Sequence, residues 1–304
     1  MNILSVSSAI ISENFVLMQV LCGLWRISRP LNVTFIVLTA TLGSYLAGWQ
    51  GSPWLSFYAG CALAAISISG YALNDLLDIL IDRINRPRRP LPSGQVSSQT
   101  VIAYSIVMML LGLVVGAFIS WAVLGYLGAV LLFIVFYDVV TKRLGFPGNL
   151  TVALLTSSAL IAGPIALRLP LAGLWAPLAL AFLLNLAREI LKDIEDIPGD
   201  KTAGVHSLPL LLGTQASAWL AAILSLLTIP VAIVYGIMMQ NGIHFWIILV
   251  AGLMLPLIIA LVHLWGKADA KAAGIAQRVL KFAMLGGLLA FYLGGSFPPP
   301  PFQG

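Results

Sequence analysis

The segment NDLLDILIDRINRPRRPLPSG, residues 74–94, concentrates charge in a chain that has little of it. Asp75, Asp78 and Asp82 are spaced three and four residues apart, which would place all three on one face of a continuous helix. The arginines that follow are Arg83, Arg86, Arg88 and Arg89. Clustered carboxylates favour a hard divalent cation, and guanidinium groups suit phosphate oxygens. The segment therefore predicts a Mg²⁺–diphosphate site. A loop that only sets membrane topology would explain the arginines but not the aligned acids.

The composition excludes an ordinary soluble domain. Of the 304 residues, 60% are hydrophobic and 9% are charged, whereas soluble domains have about 45–50% apolar and roughly 25% charged residues. The net charge of +5 comes from basic residues in short loops between apolar runs. This distribution indicates membrane orientation and argues against a nucleic-acid partner.

Apolar runs of about 20 residues recur along the chain, each long enough to cross the hydrocarbon core of a bilayer. The predicted fold is all-α and polytopic, a single transmembrane domain over residues 1–304. An interfacial helix over residues 1–28 precedes nine spans. The predicted spans are residues 31–49, 54–73, 101–121, 123–141, 149–167, 172–190, 214–239, 244–265 and 279–296.

The lysines and arginines alternate between loops as the positive-inside rule requires. With Lys281 counted at the cytoplasmic start of the last span, Arg168 is the exception among the 16 basic residues. The N-terminus is predicted to be cytoplasmic, and the proline-rich end, residues 297–304, to lie outside as an extended tail. The chain is predicted to reside in the cell membrane with cytoplasmic catalytic loops at residues 75–100 and 191–213.

A second acidic segment, REILKDIEDIPGDKTAG, occupies residues 188–204. Its acids are Glu189, Asp193, Glu195, Asp196 and Asp200. Pro198-Gly199 is expected to end the helix before the last of them. The two segments follow the second and sixth predicted spans and hold eight of the eleven acidic residues. This pattern predicts a four-helix internal pseudo-repeat that brings both segments to one cavity, with room for two Mg²⁺ ions and one diphosphate.

These motifs resemble those of the UbiA family of intramembrane prenyltransferases. The first family motif, N-D-x-x-D-x-x-x-D, is matched by Asn74, Asp75, Asp78 and Asp82. The second, D-x-x-x-D, is matched by Asp196 and Asp200. The likeness extends to Arg29-Pro30 with Asn32 and to the segment from Tyr137 through Lys142 to Gly148-Asn149. Asp138 departs from the pattern, because relatives commonly carry a small hydroxyl residue there.

The resemblance implies Mg²⁺-assisted loss of diphosphate from an allylic prenyl diphosphate, followed by attack of an acceptor on the carbocation. The implied metal ligands are Asn74, Asp75, Asp78, Asp82, Asp196 and Asp200. Arg88 and Lys142 are expected to contact the diphosphate, and Tyr137 to donate a hydrogen bond or face the cation. Asp193 is expected to take the proton of the acceptor hydroxyl. Further substrate contacts are expected from Arg29, toward an acidic acceptor, and from Asn32, Asn149 and Lys192.

The residues around both motifs are most similar to the branch of the family that makes archaeal-type ether lipids. The expected donor is geranylgeranyl diphosphate and the expected lipophilic acceptor is geranylgeranylglyceryl phosphate. An aromatic acceptor such as 4-hydroxybenzoate, or a chlorophyllide, is the alternative. Two rival classes fit less well. A secondary transporter usually holds its polar groups near the membrane midplane, and a CDP-alcohol phosphotransferase needs a D-x-x-D-G run, whereas Ile79 follows Asp78 here.

Overall fold

The computed structural model describes residues 3–49, 51–266 and 268–294, and its regular elements are helices. The first seven α-helices are α1 Ile3–Ile27, α2 Pro30–Leu46, α3 Trp54–Leu77, α4 Ile79–Asn85, α5 Ser98–Ile119, α6 Trp121–Phe136 and α7 Phe146–Leu167. The others are α8 Trp175–Ala203, α9 Leu208–Leu212, α10 Thr214–Leu226, α11 Thr228–Met238, α12 Ile243–Leu249, α13 Leu255–Trp265 and α14 Ala270–Gly294. The predicted all-α membrane fold is confirmed. The proline-rich end, residues 297–304, lies outside the described residues.

Local sequence explains where several of these helices begin. Ser97 and Ser120 cap α5 and α6, because their side-chain oxygens accept hydrogen bonds from the backbone N–H groups of Thr100 and Val123. The extended backbone of Ser120 separates α5 from α6, close to the predicted break. Pro30 opens α2 at a position where a missing N–H costs nothing.

Eight helical stretches of the described chain are long and apolar enough to span a membrane, one fewer than predicted. The missing one is α2, whose 17 residues correspond to about 25 Å of helix and lie at the lower limit for a span. The eight are Trp54–Leu77, Ser98–Ile119, Trp121–Leu144, Phe146–Leu167, Ala172–Thr202, Thr214–Met238, Ile243–Trp265 and Ala270–Gly294. The count of nine is therefore not reproduced, and the four-helix pseudo-repeat stays a prediction.

Large apolar side chains cover the outside of the helix bundle. Only 11% of the most apolar stretch of α5 is buried inside the protein, and Phe118 and Trp121 are 88% and 85% exposed. In water such a surface would be a strong association liability. An apolar surface that faces lipid does not promote association in this way. The exposed side chains therefore agree with an integral membrane protein.

Two apolar cores hold the bundle together. The larger is built around α8 and the helices that contact it, with Leu184, Leu253 and Leu280 fully buried or nearly so. The smaller joins α3, α6 and α7 through residues such as Ile66 and Leu127. The candidate site described below lies between these two cores.

Two expectations about the acidic segments are wrong. The predicted catalytic loops over 75–100 and 191–213 are largely helical at their acidic parts, and α8 continues past Pro198 to Ala203. The reason is a tertiary contact: the Asn85 side chain donates to the Asp196 carbonyl (3.2 Å) and accepts from the Gly199 N–H (3.0 Å). The two bonds lie on either side of Pro198, which has no backbone N–H to donate within the helix.

The first segment also differs from the expected continuous helix. Asp78 has φ −93° and ψ 6° and separates α3 from α4. Asp75 and Asp82 consequently share one arginine partner, whereas Asp78 contacts a lysine on another element. The three carboxylates therefore do not form one aligned row.

The loops that carry most of the charge meet at a single end of the bundle. Arg86 in the loop after α4 reaches Asp196 of α8 (2.8 Å). The backbone N–H of His206 donates to the Arg143 carbonyl (3.2 Å), which joins the loops after α6 and α8. We predict that this common end is cytoplasmic.

Cysteine labelling tests this orientation. In a background with Cys22→Ser and Cys61→Ser, we expect Ser93→Cys to react with a membrane-impermeant maleimide only from the cytoplasmic face. Gly242→Cys should react only from the opposite face. Both positions are exposed in the structure, so failure to label cannot be assigned to burial. Labelling of both cysteines from one face would refute the predicted topology.

Candidate active site

A cavity of ≈ 590 Å³ lies between the two cores, within the usual range for a small-molecule site. Helices α2, α3, α6, α7, α8 and α14 all contribute to its wall. The ionisable acids and bases that line it are Arg29, Arg86, Arg89, Arg188, Lys192, Lys281, Asp138 and Glu189. Cations outnumber carboxylates on this lining, so the cavity favours anionic ligands.

The cavity is polar at one end and apolar at the other. On α8 the apolar lining residue Leu180 comes early, and Lys192 comes near the charged end of the helix. On α14, which runs the opposite way, Lys281 comes early and Phe291 comes late. From Pro177 to Lys192 the lining extends over about 22 Å of helix. This gradient matches an amphiphile with a charged head and a long apolar tail.

The first acidic motif is neutralised by arginines. Arg29 Nη2 lies 2.7 Å from Asp75 Oδ1, and the Arg29 guanidinium stacks 4.5 Å from the Tyr71 ring. Arg89 Nη1 contacts both Asp75 (3.2 Å) and Asp82 (2.5 Å). Burial raises the pKa of the Asp82 carboxyl, and the adjacent Arg89 acts against that rise.

The end of α6 supplies a second group of polar contacts. Lys142 pairs with Asp78, and its Nζ also lies 3.8 Å from Asp138 Oδ1 and 5.7 Å from the centre of the Tyr137 ring. Asn74 Nδ2 donates to Asp138 Oδ1 at 2.9 Å. The other oxygen of Asp138 is buried and has no hydrogen-bond partner among the residues that the structure describes. Tyr137 begins a π-helical turn, a feature that often marks functional sites.

The second acidic motif faces the first, as predicted. Arg86 Nη2 lies 2.8 Å from both oxygens of Asp196, and the Asn85 bonds hold the same two elements together. Burial alone would lower the pKa of Arg86, but Asp196 and Asp82 outweigh it and the pKa is raised. Arg86 therefore stays charged and links the two motifs.

We call this side of the site the aspartate wall. Its carboxylates are Asp75, Asp78, Asp82, Asp138 and Asp196, and its cations are Arg29, Arg86, Arg89 and Lys142. With five acids against four bases, the wall has an excess of negative charge. In the described part of the chain, no three acidic, histidine or cysteine side chains converge closely enough to hold a metal ion. The donor set is nevertheless all oxygen and acid-rich, which fits a hard divalent cation.

We call a second charged cluster of the cavity lining the basic wall, formed by Arg188, Glu189 and Lys192 of α8 and Lys281 of α14. One oxygen of Glu189 lies 3.1 Å from Arg188 Nη1, and the other lies 2.9 Å from Lys192 Nζ. Lys281 Nζ donates to Asn32 Oδ1 at 2.8 Å. The wall contains three cations and one carboxylate, so its net charge is +2.

The predicted site residues are distributed unevenly around the cavity. Those that line it are Arg29, Asn32, Asn74, Tyr137 and Lys192. Asp193 instead accepts a hydrogen bond from Asn149 (2.8 Å), away from the lining. Asp200 lies on the last turns of α8 and is not among the lining residues either.

The expected diphosphate contact at Arg88 is not supported. The Arg88 side chain is exposed, and its carbonyl accepts a hydrogen bond from Arg26 (2.8 Å). The turns between Arg86 and Gly94 direct the side chains of Arg86 and Arg89, and not that of Arg88, into the cavity. Leu91 holds these turns in position, because it packs in a small apolar cluster beside α1 and α3.

Sequence reasoning missed Arg188, Lys281 and Gln277 as site residues. A usable signal was present: Arg188 and Lys281 lie within apolar helices, where an ionisable residue usually marks a functional site. Arg188 opens the second acidic segment but is not one of its carboxylates, and Lys281 lies outside both acidic segments.

Comparison with known proteins agrees with the fold and the motifs. The profile of the UbiA prenyltransferase family matches residues 36–296. A relative named digeranylgeranylglyceryl phosphate synthase, from Pyrococcus horikoshii, is 35% identical over 279 residues, which cover 88% of this chain and 95% of the relative.

Two solved structures have similar folds. One, from work on digeranylgeranylglyceryl phosphate synthase in membranes, has a TM-score of 0.70 at 29% identity and covers 90% of this chain and 98% of its own. The other, a UbiA homologue from Archaeoglobus fulgidus bound to GPP and Mg²⁺, has a TM-score of 0.65 at 18% identity. It covers 89% of this chain and 99% of its own, and at that identity the likeness concerns the fold.

Proposed function

The chain belongs to the UbiA prenyltransferase family, and we propose that it transfers a geranylgeranyl group from its diphosphate to geranylgeranylglyceryl phosphate. The observation that carries this proposal is the amphiphilic cavity, which has charge at one end and an apolar chamber at the other. Both proposed substrates are amphiphiles with an anionic head and a long isoprenoid tail. The name of the 35% identical relative supports the same acceptor.

The aspartate wall would hold the divalent metal, with Mg²⁺ as our proposed ion. The residues proposed to hold it are Asn74, Asp75, Asp78, Asp82, Asp196 and Asp200. A bound divalent cation supplies electrostatic stabilisation of the charge that develops on the departing diphosphate.

Binding of the donor requires an exchange of ionic partners on this wall. In the structure Lys142 is paired with Asp78, and Arg86 with Asp196, so neither cation is free. If these aspartates held a metal instead, Lys142, Arg86 and Arg89 would be available to the diphosphate oxygens. The side chains that pair with the aspartates in the structure would thus contact the diphosphate.

The apolar chamber controls the fate of the carbocation. The C–O bond to the diphosphate breaks, and the electron pair leaves with the diphosphate. Leu63, Val130 and Leu184 line the chamber and exclude water, which would otherwise capture the cation. Tyr137 lines the cavity, and its ring face can stabilise positive charge.

The acceptor hydroxyl then forms the new C–O bond and loses its proton. Asp193 stays our predicted proton acceptor; its carboxylate is held by Asn149 beside the second motif. Arg29 stays a predicted substrate contact, although its guanidinium is bound to Asp75 in the structure.

The metal assignment predicts the effect of removing single charges. Asp78→Asn and Asp196→Asn each keep the side-chain shape but lose a negative charge. We expect turnover to fall about a hundredfold or more, the scale on which loss of one preorganised electrostatic contact slows catalysis. The metal concentration for half-maximal rate should rise. Turnover is measured with purified protein in detergent.

Asp269→Asn is the matched control for these variants. Asp269 lies outside the site and accepts the Ala272 N–H at the start of α14 (2.9 Å), a capping role that asparagine can also fill. This variant should turn over normally. Full activity in EDTA, or a wild-type rate in either motif variant, would contradict the metal assignment.

The acceptor is tested with a substrate panel. Purified protein is incubated with radiolabelled geranylgeranyl diphosphate and, separately, with geranylgeranylglyceryl phosphate, 4-hydroxybenzoate and a chlorophyllide. We expect product with the first acceptor, because the cavity offers more positive charge than a single carboxylate needs. Product with an aromatic acid or a chlorophyllide, and none with the phosphoglyceryl ether, would refute the proposed acceptor while leaving the family assignment intact.

A further inference from the structure

We propose that the basic wall is a separate anion subsite that binds the phosphate monoester of the acceptor directly, without a metal ion. The subsite comprises Arg188, Lys192 and Lys281. This inference rests on the proposed function and adds to it the residues that select a phosphorylated acceptor.

The charge balance of the wall is the first argument. Arg188 and Lys192 each contact a different oxygen of Glu189, which leaves Lys281 without a carboxylate partner among the described residues. Arg188 is a charged neighbour of Lys281 and repels it. A phosphate monoester carries about −1.5 to −2 charges at neutral pH. It would therefore compensate the net charge of +2 almost completely.

Unused hydrogen-bond donors are the second argument. The Nε atom of Arg188 is buried and has no hydrogen-bond partner in the described part of the chain. Lys281 donates to Asn32 and has an ammonium group with three N–H donors in all. Gln277 lines the cavity one helical turn before Lys281, and its Nε2, which donates to Glu195 at 3.4 Å, has a second N–H. A buried donor such as Arg188 Nε is costly unless a partner satisfies it.

Position separates this subsite from the metal site. Arg188 precedes Asp196 by eight residues on α8, so it lies about 12 Å deeper along the helix axis. Lys281 Nζ donates to Asn32 on the first turn of α2. An anion on the basic wall and a diphosphate on the aspartate wall can therefore occupy the cavity together.

The two walls also suit different anions. The aspartate wall has one more carboxylate than it has cations, and its oxygen donors suit a divalent metal ion. The basic wall already has an excess of cations and needs no metal. In a phosphoglyceryl ether the reacting hydroxyl is a few bonds from the phosphate. Holding the phosphate on the basic wall would thus fix the hydroxyl near the donor, between the two walls.

Lys281→Met tests the subsite through a comparison of two acceptors. The wild-type protein should use geranylgeranylglyceryl phosphate with a far higher kcat/KM than geranylgeranylglycerol, which lacks the phosphate. In Lys281→Met we expect the KM for the phosphorylated acceptor to rise about tenfold to a hundredfold, as for loss of one hydrogen bond to a charged group. The KM for the prenyl diphosphate and the kcat/KM for geranylgeranylglycerol should change little.

Three further variants make the result specific. Lys281→Arg keeps the charge and should retain most of the preference for the phosphate. Lys192→Gln gives an independent measurement if Lys281→Met folds poorly, and should reduce the same preference. Lys271→Met is the matched control, because Lys271 is exposed on the same helix and lines no part of the cavity; it should behave as wild type.

An unchanged preference for the phosphorylated acceptor in both Lys281→Met and Lys192→Gln would overturn the subsite. A rise confined to the KM for the prenyl diphosphate would also overturn it, because the basic wall would then bind the donor. If the wild-type protein prenylates neither glyceryl acceptor, the proposed function itself fails, and this outcome is distinct from both of the others.

Discussion

The pairing of buried aspartates with basic side chains from other elements is the interaction on which this site depends. Asp75 and Asp82 are 3% and 2% exposed, and an unpaired charge at such depth costs several kcal/mol. Three arginines offset this cost. Arg29 at the start of α2 pairs with Asp75, and Arg89 in the loop after α4 pairs with Asp82. Arg86 joins the same loop to Asp196 of α8. The acid-rich end of the bundle can therefore fold before any metal or substrate binds.

The same pairing explains how one cavity can handle two anionic substrates. In our proposal the aspartate wall binds a diphosphate together with a divalent cation, once its own cations are released. The basic wall would bind a phosphate directly, because Lys281 has no carboxylate partner among the described residues. The different charge balance of the two walls would place donor and acceptor in defined positions and keep their negative charges apart. The apolar chamber behind both walls accepts isoprenoid chains.

Much of this arrangement could be predicted from sequence, because it depends on local patterns. Hydropathy located the helices, and the spacing of Asp75, Asp78 and Asp82 indicated a site. The errors arose where tertiary contacts decided the outcome. Asn85 bridges α8 across Pro198, so the helix does not end there. The turns before Gly94 point Arg89 instead of Arg88 into the cavity. Lys281 reaches the site only because α14 packs against α2 and α8, a contact that no local pattern encodes.

Equilibrium binding of each substrate alone, with and without divalent metal, tests the two-wall account most directly. Isothermal titration calorimetry on the detergent-solubilised protein would compare geranylgeranyl diphosphate with geranylgeranylglyceryl phosphate in Mg²⁺ and in EDTA. The account predicts that EDTA weakens binding of the diphosphate strongly and leaves the Kd of the phosphorylated acceptor nearly unchanged. Loss of both affinities in EDTA, or retention of both, would contradict the division of the cavity into a metal-dependent and a metal-independent wall.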